Sequence, residues 1–183
     1  IHLRGGIRNL GPIVPRGFLV VATPENVSPY PQIPESSSGR LELARWISSP
    51  QNPLTARVFV NRVWHHLFGR GIVASPDNFG EMGNRPTHPE LLDYLAQFFI
   101  DKKWSTKALI RKIVLSSTYQ MSSSASTYVL KEEPENQLFS RHNRRRLEAE
   151  AIRDAMLLAS GQISFKNSKV NQNRSLFEKI DRN

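Results

Sequence analysis

The chain has 183 residues, 39% hydrophobic and 22% charged, which suits one domain or one large piece of a domain. It contains no cysteine, so disulfides, thiol catalysis, cysteine-ligated metals and a CxxCH haem attachment are excluded within it. No apolar run approaches the ~20 residues of a membrane span, and the net charge of +9 points to an acidic partner, an anionic polysaccharide or nucleic acid.

The chain begins at Ile1 rather than Met, and so reads as a processed chain or an excised fragment. Residues 1–38 are rich in Gly, Pro and Ser and lack helical periodicity, which predicts an extended N-terminal arm. Within it Phe18–Val21 reads as a short strand or an extended segment packed on helices. Residues 29–39 read as a surface connection. A first helix is expected over 39–48, capped by Ser38, with Leu41, Ala44, Trp46 and Ile47 on its apolar side. Pro50 and Pro53 bracket a tight turn, which favours direct packing of this helix on the next.

The run NPLTARVFVNRVWHHLFGRGIV, Asn52 to Val73, predicts the central helix. Asn52 suits an N-cap, Pro53 the first turn, and Gly69 and Gly71 the stop. At about 100° per residue, Ala56, Phe59, Val60, Val63, Trp64 and Leu67 form a broad apolar arc. Leu54, Val58 and Phe68 form a second apolar patch, threaded by Arg57, Asn61 and His65 at i, i+4 and i+8. A buried polar group needs a partner, because an unmet hydrogen bond costs about 1–3 kcal/mol. Two readings follow. Either Asn61 and His65 face a ligand with Arg57 as an anion contact, or all three satisfy and pin a neighbouring segment. The second is preferred. His65–His66 makes a poor metal pair, because adjacent helical residues diverge by about 100°, and no metal site is expected.

Residues 71–85 read as a loop whose Asp77, Asn78, Gly80, Gly83 and Asn84 supply turn chemistry. Asp77 and Glu81 are taken as exposed loop acids rather than a catalytic carboxylate pair. Thr87-His88-Pro89-Glu90 reads as a capping box, opening a helix to about Asp101 with Leu91, Leu92, Tyr94, Leu95, Phe98 and Phe99 inward. His88 at that helix start could meet an anion. Ser105 or Thr106 caps a further helix with Ala108, Leu109, Ile113, Val114 and Leu115 as its core side, and Lys103, Lys107, Arg111 and Lys112 around the rest. Residues 116–127 read as a helix end and loop, with no Gly-x-Ser-x-Gly elbow to activate a serine.

A last helix is predicted over 144–160, closed by Gly161, with Leu147, Ala151, Ala155 and Leu158 on its apolar line. Arg144–Glu148, Arg146–Glu150 and Glu150–Arg153 are spaced for intrahelical ion pairs. Asp154 lies near the apolar line and would need an Arg partner, such as Arg57 or Arg62. Glu148, Glu150, Arg153 and Asp154 are thus expected to form a structural polar network. Arg144-Arg145-Arg146 is the densest basic cluster, but no helix-turn-helix or RNA-binding motif accompanies it. Residues 162–183 form a polar tail.

The strings VPRGFL, SGRLELARWI, NPLTARVFVNRVWHHLFGRGIV, SPDNFGEMGNRPTHPELLDYLA, LIRKIVLSSTYQ and RRRLEAEAIRDAMLLASG, in this order, resemble the Planctomycete-specific domain one family, a domain of unknown function. The resemblance runs from about His2 to Gly161. It implies the C-terminal part of a large exported, periplasmic or cell-envelope protein, with a haem c segment in a neighbouring domain and no cofactor in this chain. It supplies no catalytic residues. Family members normally continue past the RRLEAEAIRD helix, so the chain looks like a truncated copy.

Together these readings predict a mainly α fold. A compact bundle of about five helices would span 39–161, with the arm over 1–38 and the tail over 162–183. Its core would be led by Trp46, Phe59, Val63, Trp64, Leu67, Leu95, Phe98, Ile113 and Leu147. The expected function is a non-catalytic structural or interaction module that meets other domains of its parent protein, an acidic partner or an anionic glycan. The first alternative is a hydrolase or redox enzyme acting on polysaccharide, with a cleft near Arg57, Asn61 and His65. The second is a nucleic-acid-binding module acting through the basic surface. The candidate binding residues are Arg57, Asn61, His65, His88, Arg144, Arg145 and Arg146.

Overall fold

The computed structural model describes residues 5–162. The fold is mainly α, and no β-strand forms among the described residues. The helices are α1 (Arg40–Ile47), α2 (Thr55–Phe68), α3 (Pro89–Asp101), α4 (Thr106–Val114), α5 (Thr127–Glu132) and α6 (Ala149–Ala159). The chain divides into two compact units, Ile1–Asn143 and Arg144–Asn183.

The core of the first unit is built by α2, α3 and α4. α2 buries Ala56, Val60, Trp64 and Phe68, one residue per turn, and Asn61 beside them. α3 buries Leu92, Leu95, Ala96 and Phe99, at i, i+3, i+4 and i+7, the spacing of a single helical face. α4 adds Leu109 and Ile113. Phe59 and Phe99 stack between α2 and α3 at 4.8 Å. Each fully buried large apolar side chain contributes about 1.5–3 kcal/mol from burial alone, so this three-helix contact dominates the unit.

Local chemistry sets the helix ends. Asn52 Oδ1 accepts from the amides of Leu54 and Thr55 at 2.9 and 3.2 Å, which nucleates the turn leading into α2. Gly69 ends α2 with φ 83°, donating its amide to the His65 carbonyl. Pro89 sits in the first turn of α3, where its missing amide hydrogen costs nothing. Ser105 caps α4, accepting from the Ala108 amide. Between α3 and α4, Lys103 and Trp104 both take left-handed φ values of 53° and 60°. That conformation is unfavourable for L-residues; the Trp104 amide bonds to the Phe99 carbonyl, and its ring meets Phe99 edge-on at 5.3 Å.

Several expectations are corrected. Residues 20–22 form a 3-10 turn rather than a strand, since the Ala22 and Thr23 amides bond back to Leu19 and Val20. Gly39, with φ 77°, takes the N-cap position of α1, and the Ser38 hydroxyl before it accepts from the Arg40 amide at 3.5 Å. α1 buries no residue and is tied to α2 mainly through the turn, where Asn52 Nδ2 donates to the Trp46 carbonyl. Thr87–Glu90 is not a capping box. His88 takes the N-cap position without a side-chain cap bond, and Thr87 bonds through amide and hydroxyl to the Ile72 carbonyl instead. Phe59, Tyr94, Leu115 and Leu147 are exposed rather than inward, while Phe68, Ile72, Val73 and Phe139 join the core. α5, capped by Ser126, is a sixth helix that the sequence pattern does not reveal.

The second unit holds α6. It starts at Ala149, not at 144, with Glu148 extended at its N-cap. A helix N-terminus carries partial positive charge, so three consecutive arginines are poor residues for a first turn, whereas Glu148 and Glu150 suit it. Arg144–Glu148 and Arg146–Glu150 therefore lack the helical geometry expected of them; Glu150 and Arg153 keep it. Gly161 follows the helix with φ 74°. The polar tail lies outside the described residues.

Candidate functional site

The polar stripe of α2 is the first place where the sequence concentrates chemistry. Its three residues face different neighbours. Asn61 is fully buried: its Nδ2 donates to the Val73 carbonyl at 3.0 Å and its Oδ1 accepts from the Val73 amide at 2.8 Å. Arg57 Nε donates to Asp93 on α3 at 2.6 Å, and its Nη1 to the Pro53 carbonyl at 2.7 Å. His65 has a solvent-sheltered Nδ1 without a hydrogen-bond partner, and its ring lies 5.8 Å from that of His66. The stripe thus braces α2 against a loop backbone and against α3, and the three side chains do not converge on one point. Arg62, outside that stripe on α2, pairs with the exposed loop acid Asp77 at 3.1 Å.

A second cluster lies in residues 133–143, which sequence reading passed over. Asn136 is buried with φ 49°. Its Nδ2 donates to the Arg141 carbonyl at 2.7 Å and to Asn143 Oδ1 at 3.0 Å; its Oδ1 accepts from the Ser140 hydroxyl and the Arg141 amide. Asn143 Nδ2 donates in turn to the Phe68 carbonyl at the end of α2. Arg141 donates to the Glu133 and Pro134 carbonyls. The Glu133 carboxylate accepts from the Leu138 amide and the Ser140 hydroxyl. The Leu138 bond is the largest influence holding its pKa below the usual carboxylate value; partial burial opposes it, and Ser140, Arg141 and His88 assist.

This segment plants Phe139 in the core. Its ring meets Trp64 at 5.2 Å, Phe68 at 5.4 Å and His88 at 5.7 Å. His88 Nδ1 lies 2.9 Å from the Thr87 hydroxyl. His142 meets the Tyr119 ring edge-on at 5.1 Å. The imidazoles are therefore engaged with rings and neighbouring polar groups, and the Ser140 hydroxyl donates to a carboxylate rather than to a histidine. No nucleophile–base pair of the usual kind forms here. Among the described residues no group of three or more His, Asp or Glu is placed to hold a metal. The Pro134 and Asn136 turn residues are the sequence signal for this segment.

One concave surface is of another kind. A groove of about 380 Å³ lies where the arm, α1 and α2 meet, lined chiefly by Leu19, Trp46, Ile47, Leu54, Val58 and Phe59. Trp46 is stacked on Phe18 at 5.0 Å, with 9° between the rings. The arm leading to it is apolar and bare: Ile13 is 97% exposed and Val21 89%.

The basic cluster Arg144-Arg145-Arg146 is exposed in the extended lead into α6. Glu148 is the N-cap of α6, and Glu150, Arg153 and Asp154 lie within it. Arg145, Arg153 and Asp154 each have an interaction partner.

No helix of the described residues is long and apolar enough to cross a membrane. No curated protein and no solved structure matches the chain. One family model does, over residues 39–180; it starts where α1 starts, leaves the arm outside, and runs further than the resemblance seen in the sequence. With most of its length inside that match, the chain belongs to the family described as PSD1, protein of unknown function (DUF1553).

Proposed function

We propose that the chain is a non-catalytic interaction module that packs against another part of a larger exported, haem-carrying protein. The observation that carries this reading is the pairing of an apolar groove with an uncovered apolar arm. Ile7, Leu10, Ile13, Val14, Val20 and Val21 are all exposed, far more than scattered surface apolar residues require. A neighbouring surface that covers them would remove this area from water at about 25 cal/mol per Å². Two of the three side chains that would line an enzyme cleft are otherwise engaged: Asn61 is bonded to the Val73 backbone and Arg57 to Asp93. The exported, haem-associated setting rests on the family resemblance.

Hydrogen exchange measured on the complete gene product and on this chain alone tests the reading. Amides of residues 13–21 are expected to exchange slowly in the complete protein and quickly in the isolated chain. Equal exchange in both would overturn it. Protection that appears in the isolated chain only as its concentration rises would do so too, since the cover would then be a second copy.

A further inference from the structure

The α4 helix carries two apolar stripes, and only one is used by the core. Leu109 and Ile113 face inward and are fully buried. Ile110, Val114 and Leu115 form a second stripe, with Ile110 37% and Leu115 63% exposed. Together with Lys107 and Arg111 they line a groove of about 370 Å³. These five positions are i, i+3, i+4, i+7 and i+8, one face of a helix. Lys107 and Arg111 form no ion pair among the described residues. Lys112 lies over the rings of Tyr94 and Phe98, at 5.6 and 5.9 Å.

The sequence around the groove has one sign of charge. From Lys102 to Lys131 there is no Asp or Glu, while Lys103, Lys107, Arg111 and Lys112 fall within that span. A helix with an uncovered apolar stripe and only cations at its flank is complementary to a segment with the same spacing of apolar residues and carboxylates beside them. Two other partners fit less well. A bilayer-binding helix carries a polar face rich in Lys and Arg along a long segment, whereas α4 spans only Thr106–Val114 with Lys107 and Arg111 beside the stripe. A nucleic-acid backbone offers nothing to cover Ile110 and Leu115.

We propose that the α4 groove binds an acidic amphipathic helical segment, its apolar side chains seated between Ile110, Val114 and Leu115 and its carboxylates on Lys107 and Arg111. The inference goes beyond the arm-mediated packing proposed above. It uses different residues, so either reading can fail while the other stands.

The probe is a fluorescent helical peptide of about 14 residues with Leu at i, i+3, i+4 and i+7 flanked by Glu, titrated with the 183-residue chain at near-physiological salt. A scrambled peptide of the same composition is the control. The designed peptide is expected to bind at least about tenfold more tightly than the scrambled one. The Lys107→Glu/Arg111→Glu double variant should weaken binding about tenfold or more, and should recover it with a peptide whose Glu residues are replaced by Lys. Leu115→Asp should weaken both pairings. These are exposed positions, and an unchanged circular dichroism melt establishes that each variant is folded. Equal binding of designed and scrambled peptides, or indifference to the charge reversal, overturns the proposal. So does binding of phosphatidylserine vesicles or of a DNA duplex that depends on the same residues and exceeds that of the peptide.

Discussion

Asn61 and Val73 exchange two hydrogen bonds in the interior, side-chain amide to backbone in both directions, at 3.0 and 2.8 Å. The pair does for residues 71–73 what a neighbouring strand would do for an extended segment. It satisfies one amide and one carbonyl of a buried stretch that has no regular secondary structure. Ile72 and Val73 are thereby carried into the core beneath α2, and the Ile72 carbonyl is left to receive Thr87 just before α3. One side chain of α2 thus positions the loop that delivers α3.

Asn61→Ala is expected to destabilise the first unit by about 2–4 kcal/mol, because two buried backbone groups lose partners. Asn61→Asp should be at least as harmful, since it removes the donor to the Val73 carbonyl and buries a charge. Urea unfolding followed by tryptophan fluorescence measures both. A loss below about 0.5 kcal/mol for Asn61→Ala would show that the loop satisfies itself without the side chain.

Gly71 makes the same contact sensitive from the other side. A Cβ there would lie 2.4 Å from the Val73 carbonyl oxygen and 2.8 and 2.9 Å from the two amide atoms of Asn61. Backbone oxygen cannot yield as a flexible side-chain tip can, so Gly71→Ala should cost about 1–3 kcal/mol by overpacking. The loss should fall only in part in an Asn61→Ala background, because the two Asn61 amide contacts go while the clash with the Val73 carbonyl oxygen stays. A double-mutant cycle with thermal or urea melts decides it; strict additivity would dissociate Gly71 from the Asn61 contact.

Local signals were the most legible part of this chain. Gly69 marks the end of α2, Pro89 the start of α3 and Ser105 the cap of α4, while Asn52, expected as the N-cap of α2, holds the turn before the actual N-cap, Leu54. Each is decided by neighbours a few residues away. The buried face of α2 was read only in part. The predicted arc already held Ala56, Val60 and Trp64, which are buried, but Phe68, assigned to a second patch, is buried with them while Phe59 is exposed, so the buried face is rotated toward Phe68. The rotation follows from Phe139, which packs against Trp64 and Phe68 from 75 and 71 residues downstream. No periodicity announces such a partner. The polar stripe was recognisable as polar groups in an apolar setting, but its partners, Val73 and Asp93, are set by tertiary placement. Phe139 at φ 53° is illegible for the same reason: an isolated Phe avoids that region, and only the surrounding contacts hold it there.

Acid should release part of the 133–143 segment through Glu133. Its folded-state pKa is lowered, first by the Leu138 amide, with Ser140, Arg141 and His88 assisting against partial burial. A lowered pKa means that the folded state binds fewer protons than the unfolded one. The contribution is therefore complete above the unfolded value near ~4.3 and is lost as pH falls below that value and through the folded pKa. Glu133→Gln should melt at a lower temperature than the parent at neutral pH, and the gap should narrow as pH falls below about 4. Melting curves of both proteins across this range give the difference directly. A gap that stays constant with pH would mean that the carboxylate charge contributes nothing.

Phe139 decides whether the 133–143 segment seals the core or merely rests on it. The ring is buried against Trp64, Phe68 and His88, and the left-handed backbone at φ 53° is unfavourable for a phenylalanine. The network around Asn136 holds that backbone in place. Phe139→Ala should therefore cost about 3–5 kcal/mol, as for other buried aromatic truncations, with Phe139→Leu costing clearly less because most of the volume is retained. Trp64 fluorescence and urea midpoints report the change. Limited proteolysis separates global from local effects: a sealing role predicts faster cleavage in α2 and α3 as well as in 133–143. Cleavage confined to 133–143, with an unchanged urea midpoint, would show instead that the segment opens on its own and that the three-helix core closes without it.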